Sequence, residues 1–344
     1  MSEKPLFFDI DGRSDMPFQL IFGARGTGKS YSGLKKVRKD YWDNGSLFLY
    51  VRRTREEQES VASEFGNPFK RINTDLQIEV KSRSLRGVGG VGVFTEVDPT
   101  DGIERTLGYS VGLSSFANLR SIDLSDVSTI LFDEAIPEVH KHAIRNEGTA
   151  LLNLYETVNR NREILGQKPV TLIVMGNAIR LNNHILNTFG VIGTIQNMIE
   201  AGERRRTIKE RGLYIELIDH VKIIAEKNAT ALYMLGAQAF NEETLSSTFV
   251  NDDMSAVKTN VDMKYYKPYI AFGDYGIYYN SNKDLYHVAD AKGTFRTHLK
   301  ATDGTRFRIA FAPKYRILRA MGLITFKSYP TMLFLDELLG YEQT

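Results

Sequence analysis

The chain predicts an α/β fold built on a mainly parallel sheet, followed by a small α+β domain. Three observations predict it. Short apolar runs alternate with segments of helical spacing over the first two-thirds of the chain; a glycine-rich loop joins the first such run to the first helix; and beyond about residue 258 the pattern turns to alternating β-formers and turn residues. A length of 344 residues exceeds one ordinary core. The expected division is 1–222 for the sheet domain, 223–257 for a linker or lid, and 258–344 for the last domain.

PFQLIF (17–22) reads as a buried strand ending at Gly23. SYSGLKKVRKDYWDNG (30–45) reads as a helix stopped by Gly45. SLFLYV (46–51) is a second strand, followed by a charged helix over 55–65. Residues 70–115 alternate apolar and polar around Gly87, Gly89, Gly90 and Gly92, which predicts antiparallel hairpins beside the main sheet. STILFDEA (128–135) and VTLIVMGN (170–177) are further strands, with helical periodicity over 143–165 between them. GLYIELI (212–218) is a candidate fifth. In the last domain, alternation around Gly276 and the 280–283 turn predicts a largely antiparallel sheet and a closing helix.

Hydrophobic residues make up 42% and charged residues 25%, with no apolar run of eighteen, so a soluble protein with no membrane span is expected. The first fifteen residues do not read as a secretion signal. The absence of cysteine rules out disulfides and thiolate chemistry, and six scattered histidines offer no metal-site spacing. Net charge is only +2, but nine Lys or Arg against Asp303 alone fall between Lys292 and Lys327.

Gly23-Ala24-Arg25-Gly26-Thr27-Gly28-Lys29-Ser30 has the spacing G-x-x-x-x-G-K-[ST], in the strand-to-helix context that gives the pattern its meaning. Glycines let the backbone curl around a phosphate, and the helix start adds its positive end. Lys29 is then the residue for the β- and γ-oxygens of ATP, and Ser30 the hydroxyl ligand for Mg²⁺. Asp133, ending an apolar strand, is the expected acid of the Mg²⁺ shell, and Glu134 the base that orients the attacking water. A helix start carrying acids in its first turn is the plainer alternative. Asn177 ends the next strand and is a candidate γ-phosphate sensor, or else a helix cap. Arg160 and Arg162 are placed near the end of the 143–165 helix; Arg160 is either an arginine finger for a neighbouring subunit or a surface partner of Glu156. Arg52, Arg53 and Arg55 follow a strand end, which favours phosphate or subunit-interface duty. Lys292, Arg296, Arg306, Arg308, Lys314 and Arg316, interleaved with Phe295, Phe307, Phe311 and Tyr315, suit a nucleic-acid backbone or an acidic protein surface; a solvated face over aromatic core residues is the alternative. Lys141, Arg145 and Arg86 are further basic candidates near a pore.

The strings FGARGTGKSY, FLYVRRTR, VSTILFDEAI, LLNLYETVNRNRE and VMGNA, in that order, resemble the genome-packaging ATPases of phi29-like bacteriophages over most of residues 15–220. The resemblance implies an additional-strand P-loop ATPase and a last domain like a vestigial RNase H-like nuclease. It also implies a homo-oligomeric ring, pentameric in such phages, docked on the portal or connector of an empty prohead. ATP-driven translocation of double-stranded DNA follows from the same source, with a structural RNA among the possible partners and the host cytoplasm as location. Position by position it places Lys29 and Ser30 on the phosphate and Mg²⁺ residues, and Asp133 and Glu134 on the metal-shell acid and base. Arg160 falls on the trans finger, Asn177 on the coupling motif and Arg55 on a basic interface residue. Asp274, Asp284 and Asp290 show no pairing that would suit a working nuclease. Other nucleic-acid translocases, such as a helicase, and an ATP-gated scaffold with little hydrolysis are the remaining functional alternatives.

Overall fold

The computed structural model describes residues 7–137, 146–178, 181, 183–218, 230, 256–258 and 260–340. They cluster into two compact units, one drawn from 1–189 and 197–251, the other from 190–196 and 252–344. The expected linker 223–257 lies, apart from residues 230, 256 and 257, outside the described residues, as do Lys141 and Arg145.

In the first unit, β1 (Phe18–Gly23) leads through the glycine-rich loop into α1 (Lys29–Asn44), which ends on Gly45 in the left-handed conformation. Next come β2 (Leu47–Arg52), α2 (Arg55–Val61), α3 (Lys70–Leu76), β3 (Lys81–Ser84), β4 (Val91–Val97) and β5 (Glu104–Gly112). A 3-10 segment precedes β6 (Val127–Phe132), and α4 (Glu147–Asn159) leads to β7 (Thr171–Asn177). The short helix α5 (His184–Thr188) and then α6 (Ile192–Glu200), whose residues 192–196 cluster with the second unit, precede β8 (Arg205–Ile208) and β9 (Leu213–Ile218).

Nine strands form one sheet in the order β3-β4-β5-β2-β6-β7-β1-β9-β8. The six from β5 to β9 in that order are parallel; β3, β4 and β8 join antiparallel at the edges. Strand β7 lies between β1 and β6, so an additional strand separates the loop-bearing strand from the one that leads into Asp133. Leu20 to Phe22, Phe48 to Val51, Ile130 to Phe132 and Leu172 to Met175 are all buried, as continuous apolar runs must be when both faces of a parallel sheet are covered. Gly33 lets α1 approach closely: a Cβ there would meet Leu131 Cδ1 at 3.0 Å and Met175 Cε at 3.2 Å.

Two expectations change. Residues 70–76 are a helix, and the hairpins after it extend the main sheet through β5 instead of standing beside it. The helix expected to reach residue 165 stops at Asn159, because Arg160 adopts φ 48° and ψ −129°.

The second unit carries a five-stranded sheet, ordered β13-β10-β11-β12-β14. Its strands are β10 (Lys267–Phe272), β11 (Tyr275–Asn280), β12 (Leu285–Asp290), β13 (Thr297–Leu299) and β14 (Ile324–Phe326). The central three are antiparallel and the two outer ones pair parallel. Helices α7 (Gly304–Ala310) and α8 (Ala312–Ala320) and the closing α9 (Tyr329–Leu339) complete it.

Candidate nucleotide site

The loop after β1 lines a cavity of about 220 Å³ together with Tyr31, Asp133, Glu134, Gly176 and Asn177, all at the C-terminal edge of the parallel strands. That edge is where open α/β sheets bind ligands. Gly26 and Gly28 have φ of 73° and 92°, so the curled loop needs residues without a Cβ. At Gly28 a Cβ would also meet Phe7 Cβ at 3.1 Å. The segment before β1 straps the loop from outside: Phe8 N–H donates to Thr27 O at 2.9 Å, and Ile10 N–H to Ser32 Oγ at 2.8 Å. Within the loop, Ala24 and Thr27 are buried while Arg25 and Gly26 face solvent.

Lys29 is buried, and its ammonium donates to Gly23 O at 3.1 Å, Ala24 O at 2.8 Å and Asn177 Oδ1 at 3.3 Å. That ammonium lies in the lining of the cavity, where phosphate oxygens would meet it. Ser30 Oγ donates to Asp133 Oδ1 at 2.9 Å, which brings a hydroxyl and a carboxylate together as hard oxygen ligands. This donor set fits Mg²⁺, which takes one or two protein oxygens and completes its shell with phosphates and water.

Asp133 is buried, and its other oxygen accepts from Tyr50 OH at 2.8 Å. Burial, with Asp133 beside it, raises the Tyr50 hydroxyl well above its usual range, so it stays a donor. Glu134 sits at φ 54° with a half-exposed side chain held by Arg52 Nη2. Arg52 also lies 3.8 Å from Asp133 and 3.7 Å from Glu57. Burial works against its charge, but the Tyr50, Glu134 and Asp133 oxygens outweigh it and raise its pKa. Its Nε is buried without a hydrogen-bond partner.

A family model described as podovirus DNA encapsidation protein (Gp16) matches residues 11–305. This chain belongs to that family. The DNA packaging proteins of Bacillus phages phi29 and PZA are 27% and 28% identical to it over 295 residues, 84% of this chain and 80% of each relative. Among solved structures, the bacteriophage Phi-29 viral genome packaging motor assembly matches with a TM-score of 0.67 at 20% identity. That match covers 98% of this chain and 99% of the other. A Phi-28 DNA packaging motor matches with a TM-score of 0.58 at 18% identity, over 95% and 94%. These two show a shared fold.

The sequence candidates divide sharply once placed. Lys29, Ser30, Asp133, Glu134 and Asn177 converge on one cavity. Arg53 does not join them: its side chain turns into the protein and pairs with Glu147 at the start of α4, 2.7 Å from Nε to Oε1, with both residues buried. Arg55 is exposed and pairs with Glu59. Arg160 is exposed and forms no ion pair among the described residues; Glu156 only accepts its backbone N–H. Arg162 is tied to Ser125 O, so the two arginines do not share a helix as their spacing suggested.

In the second unit, Phe295, Phe307 and Tyr315 are core, not interleaved contacts, because they cover the sheet. Lys314 donates to Tyr286 OH at 2.7 Å and lies over the rings of Tyr269, Tyr286 and Tyr315. Arg316 Nε donates to Leu339 O at 2.6 Å. Both side chains are held by contacts within the fold although, like Lys292, Arg296, Arg306 and Arg308, they lie on the exposed surface. Sequence reasoning missed Tyr50, whose signal was a hydroxyl inside an otherwise apolar strand next to the arginines. It also missed Phe7, which carried no signal at all.

Proposed function

We propose that this chain binds ATP with Mg²⁺ in the loop cradle and hydrolyses the γ-phosphate. The turnover drives double-stranded DNA into a viral prohead. It acts as one subunit of a homo-oligomeric ring docked at the portal, in the host cytoplasm; a pentamer is the arrangement the resemblance implies, with a structural RNA among the possible partners. One observation carries the reading. Lys29, Ser30, Asp133, Glu134 and Asn177 meet around a single cavity at the strand ends, in a chain whose family is described by DNA encapsidation.

The division of labour follows from the placements. The Lys29 ammonium, now on Gly23 O and Ala24 O, exchanges those carbonyls for phosphate oxygens. Ser30 and Asp133 hold Mg²⁺, which supplies positive charge against the phosphoryl oxygens when bound. Tyr50 fixes Asp133 from behind. Glu134, once released by Arg52, orients a water and accepts its proton, while Asn177 links the Lys29 ammonium to the end of β7. Arg160 supplies a guanidinium to the neighbouring subunit's site.

The test is Glu134→Gln. Nucleotide affinity is expected to stay near that of the parent while kcat falls by about 10²–10⁴. Turnover close to the parent's would overturn the assignment of the base. ATP-dependent protection of DNA from nuclease in the presence of proheads tests the packaging role.

A further inference from the structure

The turn that follows α4 is built to be presented. Arg160 holds φ 48° and ψ −129°, a conformation that disfavours a side chain, so neighbouring contacts must enforce it. They are identifiable. Buried Asn159 accepts Val170 N–H at 2.8 Å and donates to Glu163 at 3.2 Å. Arg162 is tied to Ser125 O, and four backbone bonds, from Leu165 N to Asn161 O and Arg162 O, Gly166 N to Glu163 O and Gln167 N to Arg162 O, close the turn on itself. On this locked turn Ile164 and Leu165 are 85% and 71% exposed, beside the exposed Arg160.

We propose that residues 159–166 are a docking element for a second copy of this chain, with Ile164 and Leu165 seated against Phe7 so that Arg160 enters the neighbouring nucleotide cavity. This rests on the reading of Arg160 as acting in trans. The receiving surface has the complementary chemistry. Phe7 is 54% exposed and lies against Gly28, one of the residues that line the cavity together with Asp133 and Glu134. An aliphatic pair gains nothing from a phosphate backbone, but an aromatic ring beside a cavity that takes up an anionic triphosphate accommodates both the pair and the cation. Pre-strained, rigid presentation also lowers the ordering cost of association.

The experiment uses the full chain without other phage components. ATP turnover per chain is expected to rise with protein concentration, and Ile164→Ser with Leu165→Ser to move the half-maximal concentration up at least tenfold. The plateau, the ATP affinity and the Tm should remain those of the parent. An unshifted midpoint, or parent turnover independent of concentration, overturns the docking; either is what an element made for DNA or another phage protein would give. Arg160→Ala separates the two ideas, because it should lower the plateau without moving the midpoint. An unchanged plateau would count against the trans finger alone. Because the natural chain has no cysteine, Phe7→Cys with Leu165→Cys should give an oxidative ladder of cross-linked chains that neither single variant gives. No ladder at plateau concentration would refute seating on Phe7.

Discussion

Replacing Arg53 by Met leaves the Glu147 carboxylate buried with its charge uncompensated. Both residues are 2% exposed, and the pair is bidentate, 2.7 Å from Nε to Oε1 and 3.2 Å from Nη2 to Oε2. Breaking such a pair from one side costs about 3–5 kcal/mol, while replacing both partners by apolar side chains of similar volume is nearly neutral. Arg53→Met is therefore expected to lose about 4 kcal/mol, and Arg53→Met with Glu147→Met no more than about 1 kcal/mol. The coupling energy of the cycle should exceed about 2 kcal/mol. Urea unfolding at pH 7 followed by Trp42 fluorescence measures this, because Trp42 is the single tryptophan and lies in α1 of the first unit, bonded to Glu96. Burial already raises the Glu147 pKa even with Arg53 present. Without Arg53 the neutral acid is favoured further, so the variant's deficit should shrink as pH falls and grow as pH rises. A single variant within about 1 kcal/mol of the parent, or a double variant as unstable as the single, refutes the argument. The pair matters beyond stability: it ties the residue just past the end of β2 to the helix that ends at Asn159, next to Arg160.

Tyr50→Phe removes a buried hydrogen bond to a carboxylate and should cost roughly 2 kcal/mol in the same assay. It should also raise the Mg²⁺ concentration needed for half-maximal turnover; an unchanged Mg²⁺ requirement would show that Tyr50 does not position Asp133. Burial, with Lys327 nearby, lowers His287 from 6.5 to about 4, so the unfolded chain takes up this proton first as pH falls. The stability held above pH 6.5 is then lost between 6.5 and about 4, which amounts to about 2 kcal/mol at pH 5. Tyrosine near-UV circular dichroism should show a parent stability loss larger than that of His287→Gln by this amount, and equal losses would contradict it. Lys314→Met should destabilise the second unit by about 1–2 kcal/mol, through the lost Tyr286 bond and ring contacts. Arg306→Ala and Arg308→Ala should leave stability within about 0.5 kcal/mol and instead weaken salt-dependent binding of DNA.

The cradle and its acids were legible in the sequence because each depends on a local arrangement. A glycine at φ 92° before a helix, a lysine and serine in the first helical turn, and a carboxylate at the end of an apolar strand are positioned by their own backbone segment. Asn177 was legible for the same reason, since strand β7 delivers it to the edge where β1 and β6 also end. The roles of the arginines were not. Arg52, Arg53 and Arg55 follow one strand within four positions. Yet Arg52 reaches Glu134, Arg53 is buried on Glu147, and Arg55 pairs on the surface.

Periodicity also misplaced the turn after α4. The spacing from 143 to 165 is helical, but the bonds from Asn159 to Val170 and from Arg162 to Ser125 join segments distant in sequence and end the helix at Asn159. The basic and aromatic alternation after residue 292 misled in the same way. Once residues 304–320 form two helices, the rings of Phe307 and Tyr315 face the core and Lys314 folds back over tyrosines. The sequence by itself determined the strand-loop-helix cradle and the strand-end acids, since these follow from backbone preference and hydrophobic period. Tertiary structure alone decided which charges are buried in pairs and which face outward, because a long cationic side chain takes its role from whichever acid, carbonyl or ring the fold brings within its reach.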